Sequence, residues 1–259
     1  MATRGDFGLV PTVAPDGRRA WQVYARPFPS ESQRPRIAIV VRGLGLSDAA
    51  TTAAIQRLPS NVSLSFSPYA RKLDQWIAAA RAAGHEVFLD LPMEPLDYPA
   101  SDPGPHTLLT SLKPEENLTR LSFILSRSTG YVGVVNDMGD KFTASGESLT
   151  PILQDLRDRG LMLVDTRATR NSLAAQLATD LELPRALNNR AIDQEASRVS
   201  IEARLLELER IAKQVGTAVG LAQTYPVTIE RLAQWVQSLD AKGIDLAPVS
   251  AVANRQTVQ

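Results

Sequence analysis

From Arg36 onward, two hydrophobic patterns alternate along the chain. One is the short continuous apolar run: "IAIVV" from Ile37, "VSLSF" from Val62, "EVFLDL" from Glu86, "YVGVV" from Tyr131, "LMLVD" from Leu161, "TAVGLA" from Thr217 and "IDLAPV" from Ile244. Runs of this length bounded by glycine, proline or polar residues read as strands buried on both faces. The other pattern is apolar residues recurring every three or four positions, which predicts amphipathic helices. One begins at Ser47 or Asp48, one runs from Leu73 to Ala83 before Gly84, and one opens at Pro114, where proline favours a helix start. Others are "LTPILQDLRDRG" ending at Gly160, "SLAAQLATDL" from Ser172, "SIEARLLELERIAKQVG" from Ser200 and "TIERLAQWVQSLDAKG" from Thr228. Strict alternation of the two patterns predicts the α/β class, a parallel sheet with helices outside it. Seven or eight such units favour a closed or nearly closed barrel. Residues 1–35 show no such periodicity. They predict an extended N-terminal arm, with Trp21, Tyr24 and Phe28 available to pin it, ahead of one barrel domain over 36–253.

Composition removes several kinds of chemistry. The 259 residues contain no cysteine, so disulfides, thiolate metal sites and thiol nucleophiles are excluded. Only two histidines occur, His85 and His106, too few for an imidazole-rich zinc site in one chain. Lys plus Arg equals Asp plus Glu, 28 each, without the basic excess expected of a nucleic-acid protein. No apolar stretch reaches the roughly 20 residues of a membrane span, and the segment after Met1 lacks the apolar core of a signal peptide.

In a parallel barrel the active site lies at the C-terminal ends of the strands. Those ends carry Arg42, Asp90, Asp137, Asp165 and Gln223, with Glu94 and Asp97 in the loop after Asp90. Asp90, Glu94, Asp137 and Asp165 suit a general acid and base for glycoside hydrolysis. They equally suit helix caps and ion pairs with Arg42, Arg167 and Arg170. The turn after the first strand has Gly43 and Gly45, but Asp48 stands where a dinucleotide loop needs a third glycine. No GKS or GKT phosphate loop and no G-x-S-x-G nucleophile turn occurs.

Several ordered blocks together resemble the divergent polysaccharide deacetylases: "IAIVVRGLGLS", "LPSNVSLSFSPYA", "GHEVFLDLPMEPLDYP", "GYVGVVNDMGDKFT", "LMLVDTRATRNSLA" and "GIDLAPVSAV". "WQVYARPF" in the arm looks like the bacterial envelope branch of that family. The resemblance implies a distorted parallel (β/α)7-type barrel of the glycoside hydrolase/deacetylase kind. It also implies removal of acetyl groups from an amino sugar by a divalent metal such as zinc. That metal is held by one Asp and two His, with a neighbouring Asp as base.

Against that pattern this chain departs at every position of the set. Arg42 and Gly43 stand where active relatives place base and ligand aspartates, and Asp137 and Gln223 where they place histidines. Glycine offers no ligand, glutamine a weak one, and Arg42 a permanent positive charge. The expectation is a catalytically degenerate envelope or periplasmic protein with no cofactor of its own and an export segment outside this chain. It would bind peptidoglycan, another amino-sugar polysaccharide or an envelope protein partner. Two alternatives stand beside it: an active hydrolase with a rebuilt acidic or metal site, and a protein-interaction scaffold. Asp90, Glu94, Asp97, Asn136, Asp165 and Tyr225 are the candidate binding residues.

Overall fold

The computed structural model describes residues 1–29 and 31–257. The N-terminal segment is more structured than an extended arm. β1 (Ala2–Gly5) and β2 (Gly8–Pro11) form an antiparallel hairpin, and Ala20–Val23 makes one helical turn, α1. The barrel follows as β3 (Arg36–Leu44), α2 (Asp48–Arg57), β4 (Ser63–Phe66), α3 (Leu73–Ala82), β5 (Val87–Met93), α4 (Pro114–Leu125) and β6 (Gly133–Met138). Then come α5 (Gly146–Asp158), β7 (Met162–Asp165), α6 (Ala174–Asp180), β8 (Arg185–Leu187), β9 (Arg190–Ala191), α7 (Arg198–Val215), β10 (Thr217–Ala222), α8 (Pro226–Val236) and β11 (Asp245–Leu246).

Local chemistry sets several element ends. The Ser47 hydroxyl accepts from the Ala50 backbone N–H and starts α2, and Ser145 and Ser197 do the same for α5 and α7. Gly216, at φ +84°, closes α7 in the left-handed conformation that glycine adopts without steric cost.

The strands form one parallel sheet in the order β8-β7-β6-β5-β4-β3-β10-β9, with β11 added beside β3. Its two edges belong to one continuous segment, because β8 and β9 are separated only by Asn188 and Asn189. Asn188 donates its backbone N–H to Asp165 O on one edge (2.9 Å), and Asn189 donates to Val219 O on the other (2.8 Å). Gln256 fills the seam, accepting from the Leu187 N–H and donating to Leu187 O and Asn189 Oδ1. The sheet is thus curled almost into a barrel, and the seam is bridged by side-chain amides where ladder bonds are missing.

Alternation along each strand sorts side chains to two faces. Ile37, Ile39 and Val41 join the large core between sheet and helices, whereas Ala38 and Val40 join a smaller core inside the barrel with Phe88, Val135, Val219 and Leu221. Val249 and Val252, in the short 3₁₀ turn after β11, fill that inner core. Of the "IDLAPV" run only Asp245–Leu246 pairs as a strand, since Pro248 cannot donate to a ladder.

Candidate functional site

The inward-facing rows continue past the inner core to the C-terminal strand ends. Ala38 and Val40 lead to Arg42, Phe88 to Asp90, Val135 to Asp137, and Leu221 to Gln223. All four line one cleft of about 270 Å³, whose walls include Gly43, Ser67, Tyr69 and Pro92. Among the described residues, none of the first 35 lines it.

Arg42 organises the floor. Its Nη2 lies 2.9 Å from Asp137 Oδ1, its Nη1 donates to Asn136 O at 3.2 Å, and its Nε is buried without a partner. The side chain is 13% exposed and that of Asp137 30%, so the pair faces the cleft and is only partly shielded from water. Beside it Asp90 accepts from the Gly43 N–H (3.1 Å) and the Ser65 hydroxyl (2.6 Å). Burial pushes the Asp90 carboxyl up to about 6. Arg42 pulls it down and Asp137 pushes it further up. Gly43 takes φ +70° at an irregularity in β3 between Val41 and Leu44. A Cβ built there would lie 3.6 Å from Gln223 Oε1, an ordinary contact, so the left-handed backbone rather than crowding favours glycine.

Asp193, just beyond β9, completes the support. Its Oδ2 accepts from the Gln223 N–H (2.8 Å) and the Thr228 hydroxyl (2.7 Å), tying the β10 end to α8. Burial raises its carboxyl. Tyr69, Ser65 and Asp193 were not among the sequence candidates. The two-residue β9 is too short to mark Asp193 as a strand end.

The remaining candidates lie elsewhere. Asn136 follows Val134 onto the helix side of the sheet. Its amide is consumed by Met138 O, the Thr166 hydroxyl and the Thr166 N–H. Asp165 follows Leu163 to that same side. It is 1% exposed, its carboxyl is raised by burial, and it accepts from the Arg167 N–H and Ser172. Glu94 is held by Lys141 (2.7 Å) and by the Thr110 N–H and hydroxyl (2.6 and 2.7 Å). Burial opposes its ionisation, yet these three donors keep its carboxyl below the usual range. Asp97 accepts from Ser101 in an exposed loop. Tyr225, 46% exposed, precedes α8 and lines no part of the cleft. The structure therefore gathers Arg42, Gly43, Asp90, Asp137 and Gln223, and leaves Glu94, Asp97, Asn136, Asp165 and Tyr225 outside.

Neither histidine reaches this cleft. His85 is buried between the Val62 and Ile55 carbonyls, and His106 stacks on Phe123 at 3.6 Å between ring centroids. Among the described residues no three His, Cys, Asp or Glu side chains converge as metal ligands. The cleft offers the Asp137 carboxyl engaged by a guanidinium, the Asp90 carboxyl held by the Gly43 N–H and the Ser65 hydroxyl, one neutral amide and a glycine. These groups do not fit a catalytic zinc, which uses three protein ligands.

Comparison with known proteins agrees with the architecture. An uncharacterized protein of Agrobacterium tumefaciens C58 is 36% identical, its crystal structure superposes with a TM-score of 0.92, and the match covers 95% of this chain and 99% of that one. The uncharacterized protein YibQ of Escherichia coli K12 is 22% identical over 227 residues, 86% of this chain and 69% of its own length. The catalytic domain of a peptidoglycan N-acetylglucosamine deacetylase from Eubacterium rectale shares the fold, with a TM-score of 0.52 and 12% identity over 87% of this chain and 92% of that one. Residues 39–253, from within β3 onward, match the family described as divergent polysaccharide deacetylase: the chain belongs to that family.

Proposed function

We propose that this chain is an envelope protein that binds an amino-sugar polysaccharide in the Arg42 cleft without hydrolysing it through a metal. The observation that carries the reading is the Arg42–Asp137 pair on the cleft floor (2.9 Å). A guanidinium there supplies the positive charge that a metal ion would otherwise bring, and it repels a second cation. It has no open coordination position and generates no hydroxide, so it orients a ligand but does not activate water. Its hydrogens suit the acetamido carbonyl or hydroxyls of a sugar, and Asp137 and Gln223 supply acceptors.

Asp90, 5% exposed, has no free second carboxyl in the cleft with which to form an acid–base pair, because Asp137 is engaged by Arg42. No described residue of the N-terminal segment lines the cleft, which leaves it open to a ligand.

NMR titration with chitin-type oligomers and peptidoglycan fragments tests the reading, with acetate assayed in the same samples. The expected result is shifts centred on Gly43, Asp137 and Gln223, an affinity of roughly micromolar to millimolar, and no acetate. Released acetate overturns the loss of hydrolysis, and an unperturbed cleft at millimolar ligand overturns glycan binding.

A further inference from the structure

The Arg42 cleft does not end at its own walls. A second depression of about 470 Å³ adjoins it over the turn after β3, lined by Gly45, Leu46, Asp48, Tyr69, Arg71 and Lys72. Leu46 and Tyr69 line both compartments. Small-molecule sites usually occupy about 300–1,000 Å³, so the first compartment alone, at about 270 Å³, falls just short of that range. The two joined fall well inside it.

Tyr69 is built to stay where it is. Its ring lies so close to Gly104 that a Cβ there would fall 2.2 Å from Cε2. Gly104 also holds φ +137°, a backbone that favours glycine. The Tyr69 hydroxyl accepts from the His106 N–H at 3.1 Å. The His106 ring faces Tyr69 (centroids 6.3 Å, 28° between planes) and stacks on Phe123 on its far side. The loop presenting Gly104 is itself fixed by Asp102, which accepts from the Gly104 N–H at 2.8 Å. On the other side stands Leu46, 68% exposed in the turn after β3. An aromatic ring immobilised from behind, with an exposed leucine beside it, has little side-chain entropy left to lose on binding.

Resting on the reading of the cleft as a glycan site, we infer that Tyr69 is the stacking platform of this groove and that its ligand is an amino-sugar oligomer of at least two rings. A pyranose presents an apolar C–H face and a rim of hydroxyl and acetamido groups. The face meets Tyr69 and Leu46, where the compartments join. One ring's polar rim reaches Arg42, Asp137 and Gln223, and the next ring lies toward Arg71. A single sugar would fill one compartment and leave the platform half covered.

The test compares N-acetylglucosamine with its trimer on the wild type, Tyr69→Phe, Tyr69→Ala and Leu46→Ser. Binding is read from amide shifts and folding from thermal melts. The trimer binds the wild type and Tyr69→Phe alike and Tyr69→Ala about tenfold more weakly, a change of about 1.4 kcal/mol. The monomer shows a smaller loss. In the wild-type protein, Tyr69 ring protons give intermolecular NOEs to sugar C–H protons, a readout that does not depend on any variant folding. Equal trimer affinity for wild type and a folded Tyr69→Ala, or absence of those NOEs while cleft amides shift, overturns the platform and leaves the glycan site standing. No wild-type cleft shift with any sugar removes the glycan site and the platform together.

Discussion

Asp90→Asn isolates the electrostatics of the cleft. In the wild type, burial holds the Asp90 carboxyl at about 6, against an ordinary value of 3.8. A carboxyl raised in the folded state binds its proton more tightly there than in the unfolded chain. The associated stability is complete below about pH 4 and is lost as pH climbs through 6. A shift of about two units is worth about 3 kcal/mol, at about 1.4 kcal/mol per unit. Asparagine removes that loss and keeps both hydrogen bonds. Its Oδ1 accepts the Gly43 N–H that now reaches Asp90 Oδ2, and its Nδ2 donates to the Ser65 oxygen. Urea denaturation from pH 4 to pH 8 should find the two proteins nearly level at the acid end. The variant should become more stable by up to about 3 kcal/mol above pH 7. A difference that does not change with pH, or a variant that loses stability as pH rises, would mean that Asp90 ionises at no cost beside Arg42.

Arg42→Met removes the charge that lowers Asp90, so the Asp90 titration should move above 6 by about one to three units, read from its carboxyl carbon by NMR; an unmoved titration contradicts the coupling. The same variant leaves Asp137 without its partner and should melt below a control at exposed Arg255, by about 1–3 kcal/mol after allowing for the partial exposure of the pair. Asn136→Ala strands the buried Thr166 N–H and should cost about 1–3 kcal/mol of stability with glycan binding retained in the folded protein; lost binding at unchanged stability would place Asn136 in the site after all. Glu94→Gln keeps an acceptor for Thr110 but discards the Lys141 ion pair, and the same comparison of melting and binding assigns its role.

Most of the parallel sheet and its helices were legible because the longer strands are short apolar runs and most helices carry a start or stop signal, as with Ser47, Pro114 and Gly216. The seam was not. β8 and β9 have three and two residues, and side-chain amides of Asn189 and Gln256 do the work of backbone pairing there. Within the site, position along a strand was readable but face was read too coarsely. Asp137 and Asn136 adjoin in sequence, yet alternation sends one inside the barrel with Val135 and the other toward the helices with Val134. The same parity separates Asp90 from Asp165, and it was available from the sequence. Tyr69 gave no such signal. Its importance comes from Gly104 and His106, more than thirty residues away, meeting it in space.

The cation of the cleft is Arg42, and the side chains around it do not make a zinc ligand set. Elemental analysis of purified protein, incubated with excess zinc and then desalted, tests that most directly. The wild type should hold no stoichiometric metal at neutral pH. About one zinc per chain surviving desalting, and lost when Asp137 is changed to Asn, would contradict it.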